Sequence, residues 1–200
     1  MYNTKFFHTV LLFLVAVQAS FSAQLREDIN SQLIILDDQE LYVKKEITGA
    51  AGIVDLIDSS TRNKPGVCNF DENKLKQGRA FVFDQIAINY GTHATLSGQE
   101  GAIEYSTKAP AALQNAEFVV SQDGREVLRM SLRSLSNIQT GTAAAEEYTQ
   151  LKTLRHLVDT REIKLQLHFP AGVAMAVSGT ITNYIYVRLN GVQTTKKTNV

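Results

Sequence analysis

The strongest constraint on the fold is a strict alternation of apolar and polar residues in "REIKLQLHFPAG", residues 161–172. The apolar residues of this stretch are Ile163, Leu165, Leu167 and Phe169, and the polar residues between them are Lys164, Gln166 and His168. A period of two is typical of a β-strand with one buried face. Pro170 cannot donate to a sheet ladder, so it ends the strand. The pattern predicts that the polar side chains of this strand, including His168, lie on an outer surface.

Other segments carry the same kind of signal. Strands are predicted in residues 41–47, 80–90, 101–107 and 182–197. Residues 50–58 fit either a strand or a helix. Residues 116–132 predict a hairpin, because Asp123-Gly124 between two apolar runs supplies the positive φ angles of a type I′ turn. Near the end of the chain, Asn190-Gly191 predicts a bulge or a tight turn.

Two segments predict helices. In "TAAAEEYTQLKTLRHLV", residues 142–158, the composition favours a helix and one side is apolar: Tyr148, Leu151, Leu154, Leu157 and Val158. Residues 24–40 predict a short amphipathic helix from the spacing of Leu25, Ile29, Leu33 and Leu36. Residues 58–79 are polar, contain Pro65, Gly66 and Gly78, and are predicted to form a long loop.

The order of these elements predicts the fold class. About eight short strands with one inserted helix, and without sequential βαβ alternation, argue against a parallel sheet. The sequence predicts a mainly β protein: an antiparallel β-sandwich or jelly roll with an N-terminal helical arm. We divide the chain into an apolar N-terminal segment (residues 1–23), the amphipathic helix (24–40) and a single β-sandwich domain (41–200).

Residues 1–23 have the layout of a secretory signal peptide. Lys5 precedes the apolar run Phe6–Val17, and small and polar residues follow it. Cleavage after Ser22 would leave Ser20 and Ser22 at the −3 and −1 positions, and cleavage after Ala19 is also compatible. The run is shorter than the roughly 20 residues that cross a bilayer. The alternative is an uncleaved arm that contacts lipid through residues 6–17 or packs under a neighbouring subunit.

Composition and motifs argue against several function classes. Twenty basic residues balance twenty acidic ones and no basic run exceeds two, so specific nucleic-acid binding is not expected. Cys68 is the single cysteine, which excludes an intrachain disulfide and a thiolate zinc cluster. The four histidines lack metal-binding spacings, and nucleophile-elbow, P-loop and dinucleotide motifs are absent. We therefore expect no catalytic, metal or cofactor-binding residues and no cofactor.

The polar faces of two predicted strands provide the candidate interaction surface. It consists of Lys164, Gln166, His168, Tyr184, Tyr186 and Arg188. The last three alternate with Ile185, Val187 and Leu189, and could present two rings and a guanidinium on one face. Cross-strand packing on a sheet is the simpler interpretation of the two tyrosines.

Residues 64–195 resemble structural proteins of bacterial viruses with jelly-roll capsids, particularly small icosahedral and lipid-containing types. The resemblance runs from "KPGVCNFDENKLKQGRAFVFDQIAINYG" through "APAALQNAEFVVSQDGREVLRMSL" to "LVDTREIKLQLHFPAGVAM" and "YIYVRLNGVQT". It is one of strand order, without a diagnostic residue. It implies a protein that acts by assembly and has no catalytic residues.

These observations predict a non-enzymatic structural protein that self-assembles, a capsid component located in the virion. Its expected partners are copies of itself or other structural subunits. The alternative is a secreted or periplasmic β-sandwich binding module, which a cleaved N-terminal segment would favour. An enzyme would require two or more of His93, His156, His168 and Cys68 to meet nearby acids in one cleft.

Overall fold

The structure, a computed structural model, describes residues 2–94, 98–136 and 147–197. Its helices are α1 (Tyr2–Val17), α2 (Ala23–Asn30), α3 (Ala111–Gln114) and α4 (Leu132–Leu135), with a 3-10 turn at Gln18–Ser20. Its strands are β1 (Ile34–Glu46), β2 (Ile53–Asp55), β3 (Phe81–His93), β4 (Glu117–Gln122), β5 (Arg125–Ser131), β6 (Thr149–Leu157), β7 (Ile163–His168) and β8 (Thr182–Lys196). The predicted mainly β class is confirmed.

The strands of the described residues form two antiparallel four-stranded sheets. The first sheet has the order β1-β8-β3-β6, and the second has the order β2-β7-β4-β5. Strand 1 pairs with 8, 2 with 7, 3 with 6 and 4 with 5, and two further ladders join 3 to 8 and 4 to 7. These are the pairs that form when one long nested hairpin is rolled up. The fold is therefore the jelly roll that was predicted as one form of the sandwich.

The main core lies between the sheets. Phe81, Phe83 and Ile86 of β3 and Ile185 of β8 face apolar side chains of the second sheet, including Phe118. On β7 the apolar side chains are buried and the polar side chains between them are half-buried or exposed, as the alternation predicts. One face of each strand packs against the other sheet. Where the opposite face is solvated, apolar and polar residues therefore alternate along the strand.

The N-terminal helices cover part of the outer face of the first sheet. There they form a second apolar cluster, called here the N-terminal cluster: Val10, Leu14, Phe21, Leu25, Ile29, Ala80, Val82, Val158 and Val192. α1 and α2 supply Val10, Leu14, Leu25 and Ile29, the connection between them supplies Phe21, and strands or adjoining segments supply the others. The apolar N-terminal segment is thus packed against the sandwich.

The predicted hairpin is confirmed. β4 and β5 pair across Asp123 and Gly124, whose φ angles are 53° and 76°. Strands predicted in residues 80–90 and 182–197 are also present, as β3 and β8. The strand predicted in residues 101–107 is wrong, because that segment has a single isolated bridge from Thr107 to Tyr90. Residues 58–79 contain no helix or strand, as predicted for a loop.

Where the outer face of the first sheet is covered, one helix prediction is wrong and the other is correct only in its first part. Residues 149–157 form β6 rather than a helix, and the remainder of that predicted helix, up to residue 146, lies outside the described residues. Residues 24–40 divide between α2 and the start of β1, which begins at Ile34. In β6, Leu151 and Leu157 face the main core, while Leu154 packs on the N-terminal cluster. Because β6 is buried on both faces, these three leucines are three residues apart, a spacing that is also typical of an amphipathic helix.

At Asn190-Gly191 the chain makes no turn, because β8 continues to Lys196. The irregularity lies opposite, where the register of β3 shifts between Phe83 and Gln85. A Cβ atom on Gly191 would lie 2.0 Å from the carbonyl oxygen of Val82. Glycine is required here by the close approach of two backbones.

Candidate functional site

The six residues of the candidate interaction surface lie on two different sheets. Lys164, Gln166 and His168 are on β7 of the second sheet, and Tyr184, Tyr186 and Arg188 are on β8 of the first sheet. Each group lies on the face of its strand that is turned away from the main core. The structure therefore gives two separate surfaces, on the outer faces of the two sheets.

The β7 surface is a hydrogen-bonded polar face. Gln166 Nε2 donates to Asp55 Oδ1 of β2 at 2.7 Å, and Gln166 Oε1 lies 3.2 Å from His168 Nε2. Glu117 of β4, which is opposite His168 in the ladder, forms an ion pair of 2.6 Å with Arg129 of β5. Polar side-chain contacts thus join β2 to β7 and β4 to β5. Such a face can meet water or a polar partner surface without rearrangement.

The β8 surface is covered by other parts of the chain. Tyr184 is fully buried, and the side chain of Arg188 is 12% exposed. The Arg188 guanidinium lies 4.9 Å from the ring centroids of both Tyr148 and Tyr186. Because these groups stack on one another, they do not offer an open platform to a base or a sugar.

Charges around Arg188 are compensated inside this cluster. Arg188 forms an ion pair with Glu147 and donates to Asn89 Oδ1 at 2.8 Å. Tyr148 donates its hydroxyl proton to the Glu40 carboxylate. Burial and the nearby Arg188 lower the pKa of Lys44, whose ammonium lies 4.8 Å from the Tyr186 ring centroid. The arrangement fixes the segment at Glu147 to the first sheet.

The histidines and the cysteine lie in separate places. His93 is the last residue of β3 in the first sheet, and His168 is on β7 in the second sheet. His156 was predicted at a helix margin, but it lies on β6 under α1, with edge contacts to Phe13 and Phe21. Cys68 is buried in a loop against the main core, and burial raises the pKa of its thiol, which disfavours the nucleophilic thiolate.

In the described residues, the side chains that usually bind metal ions in proteins do not cluster. Within residues 2–94, 98–136 and 147–197, no group of three or more His, Cys, Asp and Glu side chains is placed to hold a metal ion. Across the described part of the chain, no helix has the length and apolar content needed to cross a membrane.

Sequence reasoning missed Asp159, a buried carboxylate that joins three parts of the chain. It accepts hydrogen bonds from Ser22 Oγ at 2.6 Å, from the Ser22 amide at 3.4 Å and from the Gly78 amide at 2.8 Å. Ser22 is also the N-cap of α2 and accepts from the Leu25 amide. A serine before a helix is a recognisable cap signal. Nothing in "LVDTRE" indicates that Asp159 holds it.

Sequence reasoning also missed a cavity beside α1. It lies between α1, the β4–β5 turn and β6, and is lined by Arg125, Arg155 and Arg161 together with apolar side chains. These arginines are separated in the sequence and come together where the edge strands β5 and β6 of the two sheets approach each other. Comparison with protein-family models gives no match, and no curated protein matches the chain.

Proposed function

We propose that the chain is a non-enzymatic structural protein that assembles with other copies of itself as a subunit of a virion. The observation that supports this best is the rolled nested pairing of eight strands, in the orders β1-β8-β3-β6 and β2-β7-β4-β5. Eight-stranded jelly rolls of this kind occur in viral capsids, and also in lectins and cupins. Since fold alone does not assign function, the surface must carry the rest of the argument.

Exposed apolar side chains at one end of the sandwich support assembly. The β1–β2 and β7–β8 connections pair there through the bridge between Ala51 and Ala174. Ile53, Val177 and Ile181 at this end are 65%, 77% and 45% exposed. Large exposed apolar side chains that lie near one another favour a protein–protein contact. A second copy of the chain would bury them in a symmetric oligomer.

The polar β7 surface supports a non-catalytic role for the second sheet. Its side chains form one set of polar contacts between β2 and β7 and another between β4 and β5. A general base needs a partner that orients it and a pocket that excludes water. His168 has Gln166 beside it, on an open face of the sheet.

Variants of Val177 test the proposal. We expect Val177→Lys to reduce the oligomer fraction at least tenfold, because a charge would be buried in the contact. Thr153→Lys, which adds the same charge on exposed β6, should assemble as the wild type does. Mass measured by light scattering over a concentration series, with electron microscopy of any particles, reports the outcome. A wild-type chain that is monomeric at high concentration and absent from any particle contradicts the proposal.

The secreted or periplasmic binding module is the second candidate. It is favoured by the signal-like layout of residues 1–23, with Ser20 and Ser22 before Ala23. It requires a mature chain that starts near residues 20–24. Intact-mass measurement of the protein from its natural source separates the two candidates, because retention of residues 1–19 contradicts the secreted module.

A further inference from the structure

The cavity beside α1 has a charged side and an apolar side. Its volume is about 240 Å³. Arg125, Arg155 and Arg161 stand on the charged side, and Phe13 and Val17 of α1 contribute to the apolar side. Val127 and Leu154 complete the apolar side from β5 and β6. A cavity of this kind matches a ligand that has one charged group and an apolar body.

The positive charge of the cavity is incompletely paired. Arg161 donates to the Ser20 carbonyl at 3.2 Å and lies 3.8 Å from a carboxylate oxygen of Asp123. In the described residues, neither Arg125 nor Arg155 has a carboxylate within ion-pair distance. The Nε atom of Arg155 is buried and has no hydrogen-bond partner there. A buried donor without a partner is costly, so a rotation of the Arg155 side chain that turns this donor toward a bound anion would be favoured.

The other titratable groups of the cavity leave this positive charge in place. Glu126 lines the cavity, but its carboxylate accepts from Arg129 Nε at 2.9 Å on the outer face of β5. Burial and the nearby Arg125 lower the pKa of His156, so its imidazole is neutral near pH 7. The neutral ring lies edge-on to Phe13 and extends the apolar side.

We propose that this cavity binds a small organic anion, with its carboxylate or phosphate at Arg155 and Arg125 and its apolar body against Phe13 and Val17. Guanidinium groups bind both anions through paired N–H donors. The volume is below the roughly 300 Å³ of the smallest ordinary ligand pockets, so the ligand is small. This inference goes beyond the proposed function and does not depend on it, because binding is measured on the subunit whatever its assembly state.

Calorimetric titration of the full chain with three probes tests the proposal. Hexanoate carries the carboxylate and an apolar chain, hexanamide keeps the chain without the charge, and inorganic phosphate carries charge without a chain. We expect saturable hexanoate binding at one site and at least tenfold weaker binding of hexanamide, because charge-assisted hydrogen bonds are lost. Weaker phosphate binding shows that the apolar side contributes. Phosphate binding as tight as hexanoate binding would assign the site to inorganic anions and overturn the organic part of the proposal.

Two variants connect the binding to the cavity. Arg155→Met should weaken hexanoate binding at least tenfold, whereas Arg133→Gln on α4 should leave it unchanged. Thermal unfolding without ligand provides a second measurement. Arg155→Met should unfold at the same or a higher temperature, because it removes a buried donor that has no partner. Absence of saturable hexanoate binding by the folded wild type, or equal affinity in Arg155→Met, overturns the proposal.

Discussion

At the residue scale, Asp159 joins three distant parts of the chain outside the main core. Its carboxylate accepts hydrogen bonds from Ser22 and from Gly78, and the side chain is almost fully buried. The carboxylate therefore connects the start of α2, the loop before β3 and the segment after β6. Hydrogen bonds to a buried charged group stabilise more than neutral ones do, and their loss leaves the donors unsatisfied.

Substitution of Asp159 should be costly. We expect Asp159→Ala to lower the free energy of unfolding by about 2–3 kcal/mol, because the Ser22 hydroxyl and the Gly78 amide lose their acceptor. Asp71→Ala, at an exposed position in the loop before β3, should change it by less than about 0.5 kcal/mol. Urea unfolding followed by circular dichroism measures both. Equal effects of the two substitutions would contradict the role assigned to Asp159.

His156 should make stability depend on pH. Burial, with a contribution from Arg125, lowers the pKa of this imidazole below its ordinary value in the folded chain. Between the two pKa values the unfolded chain binds a proton and the folded chain does not, so stability falls as pH decreases below about 6.5. His156→Phe should lose less stability than the wild type between pH 7.5 and pH 5.5. Urea unfolding at both pH values checks this, and an unchanged pH difference rejects it.

At the element scale, the packing of α1 explains most of its sequence. Val10 and Leu14 are completely buried in the N-terminal cluster, with Phe13 and Val17 beside them. Phe6 and Phe7 continue the same side of the helix but are exposed. Lys196 of β8 forms an ion pair of 2.9 Å with Asp28 of α2, which adds a polar contact between the helices and the first sheet.

A pair of leucines tests whether α1 is packed in the native protein. Leu14 is 0% exposed and Leu12 is 71% exposed. We expect Leu14→Ala to lower the free energy of unfolding by about 2–4 kcal/mol, because it leaves a cavity in the N-terminal cluster. Leu12→Ala should cost less than about 0.5 kcal/mol. Denaturant unfolding of the full chain distinguishes them, and two neutral substitutions would show that α1 does not pack on the sheet.

The same helices explain how much of the fold could be predicted from the sequence. The hairpin at Asp123-Gly124 and strand β7 were predictable, because a turn signal and a one-sided burial pattern are local properties. β6 was not, because Leu154 faces α1 and hides the period of two. The cavity arginines were not predictable either, since they meet only when the edges of the two sheets approach each other.

At the scale of the whole molecule, the nested pairing brings the two ends of the chain together. Ile34 of β1 pairs with Lys196 of β8, and the ladder continues to Glu46 and Tyr184. The first sheet cannot be completed until β8 is available, whereas the β4–β5 hairpin can form locally. A fold dominated by such distant pairs folds slowly, because chain closure precedes most of the stabilising contacts.

The contact between Ser22 and Asp159 also has a consequence for the maturation of the chain. A peptidase acts on an accessible, extended segment. In the folded protein Ser22 caps α2 and its amide and hydroxyl are bound to a buried carboxylate. Removal of a leader at this point and folding of the sandwich are therefore competing events. If residues 1–22 are a leader that is cleaved, the cut must therefore precede closure of the sandwich.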